Sequence, residues 1–214
     1  MRRYPFVQFD VFTSTPLEGN PLAVFPDGRG LSDGEMQALA REMNLSETTF
    51  LLPRDPAIER ERGVRMRIFT PEEELPFAGH PTLGTAYYLH RQSGAAEVRL
   101  EVNAGTIPVT FRSGEDGVFG EMRQNDPVFG MLHPREPIAH VAGLAVDDLD
   151  ASLPIQTVST GLIFAIVPVR SRAALEGMHF DLHRAAEYLE KTDAKFLYFV
   201  SRDVRNPRRV WRPA

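Results

Sequence analysis

Phe69-Thr70-Pro71-Glu72-Glu73-Glu74-Leu75-Pro76-Phe77-Ala78-Gly79-His80-Pro81-Thr82-Leu83-Gly84 is the stretch that decides how the chain folds. Pro81 has the fixed φ and the missing N–H that suit the first helical position, so the apolar run from Leu83 to Leu89 is predicted to be a helix starting there. A helix N-terminus presents unpaired N–H groups and about half a positive charge. It can therefore hold a carboxylate or phosphate without Lys or Arg. Gly79 and His80 stand at that end, so the pattern predicts an anion pocket with a histidine on its rim.

Outward from this block, the first half reads as alternating strands and helices. Val7 to Phe12 is strand-like; the Glu18-Gly19-Asn20-Pro21 turn follows, and Leu22 to Phe25 is again extended. Ser32-Asp33-Gly34-Glu35 is a capping box, and Met36, Leu39, Ala40 and Met43 recur at helical spacing up to Asn44. Thr48 to Leu52 and Val64 to Phe69 are predicted strands. Glu47 falls at the joint between helix and strand.

The second half restarts this plan. Val158-Ser159-Thr160-Gly161 leads into a strand over Leu162 to Val169, a helix over Asp181 to Glu190 and a strand over Phe196 to Val200. The same spacing separates Asp33 from Asp181 and Asp55 from Asp203, which suggests internal duplication. Carried forward by that spacing, His80 would correspond to a position beyond Ala214. The expectation is therefore a C-terminally truncated chain, ending in a basic, proline-punctuated tail from Arg205 to Ala214.

Composition excludes several classes of function. With 214 residues the chain can hold one large or two small domains, and a formal charge of −5 gives no support for nucleic acid as a partner. No apolar run approaches the roughly eighteen residues needed to span a bilayer, and the N-terminus lacks the zones of a signal peptide. A soluble, cytoplasmic protein is expected. The absence of cysteine removes disulfides, thiolate metal sites and thiol bases, leaving acid–base work to Glu, Asp, His, Lys or Tyr. His179 and His183 are four apart but have no third ligand in a recognisable pattern, and His133 and His140 flank a proline-rich loop, so no metal is expected.

Four spaced blocks occur together: Asp10-Val11-Phe12 with Gly19-Asn20-Pro21-Leu22-Ala23-Val24; Asn44-Leu45-Ser46-Glu47-Thr48-Thr49-Phe50; Phe69-Thr70-Pro71; and Glu74 through Gly84. In this order they resemble the phenazine-biosynthesis PhzF-like isomerase family. The likeness is strong over residues 6 to 112 and looser to Val200. It implies an α+β, diaminopimelate epimerase-like fold of two pseudo-equivalent domains, each a β-barrel-like sheet around a central helix. Here those would be residues 1–127 and an incomplete second domain over 128–214.

The resemblance also implies site residues. Glu47 would be the general acid/base, and Gly79 and His80 would hold the substrate at the helix start, with Asn20 and Thr82 as further substrate-binding positions and His80 as a second catalytic group. The family's second block, an Asp-Pro-Ala-Thr-Gly-Ser pattern, has no counterpart in these residues.

The physical case for Glu47 runs alongside. Moving a proton between two carbons needs a base that takes it and, as the conjugate acid, returns it elsewhere; one carboxyl can do both. A glutamate after a helix is ordinarily a solvated group and a lone histidine ordinarily a cap. Their flanking residues set Glu47 and His80 apart. The expected function is a cofactor-free isomerase or epimerase of a small carboxylate, needing no nucleic acid or membrane partner and self-associating as a homodimer or otherwise. The alternative is a catalytically inactive remnant that binds a ligand or partner.

Overall fold

The computed structural model describes residues 3–114 and 117–203, which fall into two compact units, Met1–Asn125 and Asp126–Ala214. The tail from Arg205 to Ala214 lies outside the described residues. Both units mix helices and strands.

The first unit begins with β1 (Val7–Val11), β2 (Asn20–Phe25), α1 (Asp33–Met43) and β3 (Glu47–Leu51). It continues with α2 (Pro56–Arg62), β4 (Val64–Phe69), β5 (Glu74–Leu75) and α3 (Gly79–Ser93), and closes with β6 (Glu97–Val102), β7 (Gly105–Gly114) and β8 (Gly117–Met122). The strands join in one sheet, ordered β1-β2-β3-β4-β6-β7-β8, with β5 paired to β4. Helix α3 packs against β1, β2, β3, β6, β7 and β8. Contact with strands from both ends of the order means that the sheet curls around α3 as a half-barrel.

The local signals explain these elements. Ser32 Oγ accepts the Glu35 N–H, and the Glu35 carboxylate accepts the Ser32 N–H, closing the capping box of α1. Asn44 ends that helix in the left-handed region at φ 51°, a conformation asparagine tolerates better than most residues. Alternation along β3 sends successive side chains to opposite faces. Phe50 meets Met36 and Ala40 of α1, stacking on Phe25 at 4.8 Å. Thr49 meets α3 through Thr85.

Several details depart from the sequence reading: Phe12 falls outside β1, Asn20 and Pro21 open β2 where a turn was expected, and β3 begins at Glu47. Helix α3 starts at Gly79, so Pro81 is its third residue; its missing N–H still falls in the first turn, where no intrahelical partner exists. The short helix α2 was not foreseen, although Asp55 caps it by accepting the Ala57 N–H and Pro56 opens it.

The second unit contains β9 (Val128–Leu132), α4 (Arg135–Ala142), β10 (Gln156–Ser159), β11 (Ile163–Val169), α5 (Arg172–Glu176), α6 (Leu182–Leu189) and β12 (Phe196–Ser201). Its sheet is ordered β12-β11-β10-β9. The core gathers Ile138, Leu149, Ile155, Val167 and Val169, with Leu197 and Phe199 against it. Strands β10 and β11 pair antiparallel, and β11 and β12 pair parallel across a helical crossover. In the first unit β1–β2 and β2–β3 pair in the same two senses.

Gly84 sets how closely α3 approaches the sheet. A Cβ there would lie 2.6 Å from Leu22 Cδ2 and 2.7 Å from Val11 Cγ2. Gly84→Ala should therefore lower stability by about 1–3 kcal/mol despite alanine's better helix propensity, measured by urea unfolding. Unchanged or raised stability would show that the sheet can yield.

Candidate active site

The link from α1 to β3 is three residues long, Asn44 to Ser46, and it delivers Glu47 at the first position of a strand. That strand adds parallel to β2, with Glu47 opposite Leu22. Ser46 Oγ donates to Asn20 Oδ1 at 3.0 Å, tying the link to the start of β2. Glu47 and Thr49, two residues apart, share the strand face turned toward α3.

His80 reaches Glu47 from the helix. Its Nδ1 lies 2.8 Å from Glu47 Oε2, with the His80 side chain 8% and the Glu47 side chain 18% exposed. An ionised carboxylate can only accept, so with Glu47 charged, Nδ1 carries the proton and donates it. The other ring nitrogen, Nε2, is buried with no hydrogen-bond partner among the described residues. Such a group costs free energy until something pairs with it.

The helix start itself is uncapped. Ala78 occupies the N-cap position and makes no side-chain hydrogen bond, so the first-turn amides have no side-chain acceptor there. Gly79 has Met122 Cε 3.5 Å and Gln124 Nε2 3.7 Å from the position a Cβ would take, so the end of β8 and the segment after it flank the helix start. Thr82 is fully buried, and both its N–H and its hydroxyl donate to Ala78 O, at 3.3 and 2.7 Å.

Of the residues singled out in the sequence, Glu47 and His80 are thus in direct contact and Gly79 is adjacent. Asn20 touches Ser46, one residue from Glu47. The hydroxyl of Thr82 is spent inside its own helix.

Phe12 was quoted in the sequence but not as a site residue. Its ring centroid is 6.2 Å from that of His80, and it is 68% exposed. Its φ of 69° is unusual for a bulky residue, as is the 67° of Leu17, and the two bracket the β1–β2 loop. Asp10 Oδ2 accepts the Leu17 N–H at 2.8 Å, and Gly19, at φ 86°, completes the turn where a Cβ would strike Val11 O at 2.3 Å. Strain of this kind is not written in any local pattern. The only available signal was an aromatic residue at a strand end beside a glycine turn.

The remaining histidines lie outside this pair. Among the described residues there is no group of three or more His, Asp or Glu side chains that could hold an ion. His179 precedes α6, whereas His183 lies within it and faces Glu187 at 3.5 Å. His133 sits in a filled network: Nδ1 is 2.8 Å from Tyr188 Oη, Nε2 is 2.8 Å from Thr157 Oγ1, and Thr157 donates to Asp193 Oδ1 at 2.5 Å. Burial pushes the His133 imidazole below its ordinary value, against a smaller opposing pull from Asp193. Among the described residues no helix is long and apolar enough to cross a membrane.

Comparison with known proteins bears on this geometry. The profile of the PhzC-PhzF family, described as phenazine biosynthesis-like protein, matches residues 9–208. The trans-2,3-dihydro-3-hydroxyanthranilate isomerase of Pseudomonas aeruginosa is 40% identical over 185 residues, covering 86% of this chain and 63% of that protein. An uncharacterized isomerase of Pasteurella multocida is 35% identical over 96% of this chain and 68% of its own length. The chain thus spans just under two thirds of the first of these relatives. Among solved structures, a predicted epimerase of Pseudomonas aeruginosa superposes with a TM-score of 0.81 at 37% identity, covering 92% of this chain and 70% of that one. A PhzF-family protein of Bacillus anthracis superposes at 0.78 with 33% identity, covering 95% and 69%. A hydroxyproline epimerase of Agrobacterium vitis, at 13% identity and TM-score 0.51 over 80% and 54% of the two chains, shares the fold alone.

Two outcomes test these readings, one in each unit. Phe12→Gly should raise stability by about 1 kcal/mol in urea unfolding, because left-handed backbone costs a bulky residue roughly 1–2 kcal/mol and little ring packing is lost; Phe12→Val should lower it. A destabilised glycine variant would show that the ring is held by packing. For His133 the folded state binds its proton less readily than the unfolded chain, so its contribution is fully present above pH 6.5 and is lost as pH falls below that value. His133→Gln should flatten the stability profile of the protein between about pH 5 and 7, and an unchanged profile would assign the dependence elsewhere.

Proposed function

The chain belongs to the PhzC-PhzF family of phenazine biosynthesis-like proteins, and from that premise we propose that Glu47 and His80 form the proton-transfer centre of a cofactor-independent isomerase acting on a small carboxylate. The observation that carries this reading is the 2.8 Å hydrogen bond between Glu47 and His80 at an uncapped helix start. Relatives named as isomerases support the reaction type.

Each group has a part. His80 Nδ1 holds Glu47 Oε2, which fixes the carboxyl and leaves Oε1 to face the substrate. The substrate carboxylate docks on the first-turn amides of α3, where the helix dipole favours negative charge. Glu47 removes a proton from a carbon conjugated with that carboxylate. The released electron pair spreads onto the carboxylate oxygens, so the fixed amides bind the carbanionic state more strongly than the ground state. Glu47, its proton exchanging with solvent while the carbanion stands, then protonates another carbon, and no redox change or cofactor is required. His80 Nε2, buried without a partner, is satisfied by a polar group of the bound substrate. Asn20 acts through Ser46 on the position of Glu47, and Thr82 acts by ordering the first turn.

In this reading residues 1–127 carry the proton-transfer centre, and residues 128–214 belong to a second epimerase-like domain. Self-association would use strand β9, whose five residues are all exposed, four of them large and apolar. The same strand favours a second reading, in which the chain binds a ligand or partner without turnover.

The test uses trans-2,3-dihydro-3-hydroxyanthranilate, the substrate in the relatives' names, in D2O. Isomerisation with solvent deuterium at the receiving carbon is expected, and Glu47→Gln should lower kcat by about 10²–10⁴-fold while the protein stays folded. Full activity in that variant ends the proposal. Binding without isotope exchange in the parent would favour the second reading.

A further inference from the structure

Thr49 and Thr85 are both completely buried, and their hydroxyl oxygens lie 2.8 Å apart. Thr49 Oγ1 also donates to Ala23 O at 3.4 Å, which uses its one proton. The direction of the pair follows: Thr85 donates from helix α3 and Thr49 accepts on strand β3. A threonine inside a helix ordinarily turns its hydroxyl back onto the carbonyl four residues earlier, as Thr82 does with Ala78. Thr85 instead reaches across to the sheet.

This contact lies beside the Glu47–His80 bond. Glu47 and Thr49 occupy the same face of β3, about 6.8 Å apart along the strand. His80 and Thr85 are five residues apart on α3, a rise of about 7.5 Å and a rotation of roughly 140° around the axis. The two side-chain bonds therefore form successive ties between one strand and one helix at matched spacing. Anchors so far apart around the axis fix the helix in rotation as well as in translation. Apolar packing alone tolerates small rotations, since it has no directional preference; a hydroxyl pair in a dry interior does have one.

We propose that Thr49 and Thr85 are positioning residues, whose hydrogen bond sets the rotation of α3 and thereby holds His80 Nδ1 against Glu47. Its catalytic meaning rests on the acid–base reading of Glu47, but its structural content does not. Removing both hydroxyls takes away both members of the pair at once and costs Ala23 O only a long 3.4 Å bond, so Thr49→Val with Thr85→Val should change stability little. What it removes is direction. The helix turns within its groove, and the Glu47–His80 bond lengthens or breaks.

The experiment records the ring-nitrogen signals of His80 by NMR in 15N-histidine-labelled protein, assigned with His80→Asn. In the parent a single tautomer with the proton on Nδ1 is expected at neutral pH. Thr49→Val/Thr85→Val should give averaged tautomers with its thermal midpoint within a few degrees of the parent's, whereas Thr49→Ser/Thr85→Ser should keep the parent pattern. With turnover, the valine pair should lose about tenfold in kcat with KM within about twofold, because ångström displacements of a catalytic group act on kcat. Should the valine pair fail to fold, Thr85→Ala gives the same reading. Parent-like His80 signals in the valine pair, or in Thr85→Ala in its place, overturn the proposal. Absence of isotope exchange in the parent would count against the acid–base reading alone, because the His80 signals need no turnover.

Discussion

The close approach of helix α3 to the strands around it is the constraint on which the site depends. Gly84 permits it by presenting no Cβ to Leu22 and Val11. Because the helix sits so deep, its first turn is buried along with Pro81 and Thr82, and Glu47 on the neighbouring strand falls within hydrogen-bond reach of His80. A helix standing one methyl group farther from the sheet would stretch the 2.8 Å contact between the carboxyl and the imidazole beyond hydrogen-bond range.

Two histidines of the chain show how burial can serve opposite ends. His133 has both ring nitrogens partnered, by Tyr188 and Thr157, and the network ends on Asp193. It is a filled polar core that fixes the second unit's own elements. His80 has one nitrogen on Glu47 and the other buried with no partner among the described residues. An unpaired buried nitrogen is a cost that folding alone does not recover, and the proposed substrate would offset it. The charged groups of the first unit follow a third pattern. Arg67 binds Glu74 through two nitrogens and Asp33 through a third, holding the Glu74 carboxyl below its usual range and linking β4, β5 and α1. That network ties elements together.

Much of this was legible in the chain because the signals act over a few residues. The Ser32–Glu35 box, the helix end at Asn44 and the β-branched run after Glu47 each encode a local geometry; the helix appears where its pattern falls, and the strand begins one residue earlier than predicted, at Glu47. The start of α3 was displaced by two residues because proline is as acceptable at the third helical position as at the first, so Pro81 alone could not fix the boundary. Helix α2 escaped notice because its seven residues carry no buried face, leaving only Asp55 and Pro56 as a sign. The left-handed Phe12 was invisible for a different reason: its backbone is held by Asp10 gripping the Leu17 amide across the loop, a contact between residues seven apart.

By itself the sequence determined the candidates and their chemistry: a carboxyl at the helix-to-strand joint, a histidine and glycine at a helix start, and no thiol with which to do the work otherwise. Only the tertiary structure decided that Glu47 and His80, 33 positions apart, share a hydrogen bond, that Nε2 of His80 is left bare, and that Thr49 and Thr85 tie the same strand to the same helix. The physical reason is one of range. Propensity, capping and periodicity are set by neighbours along the chain, whereas the distance between groups on two elements depends on strand register and helix rotation, which the whole packed interior fixes at once.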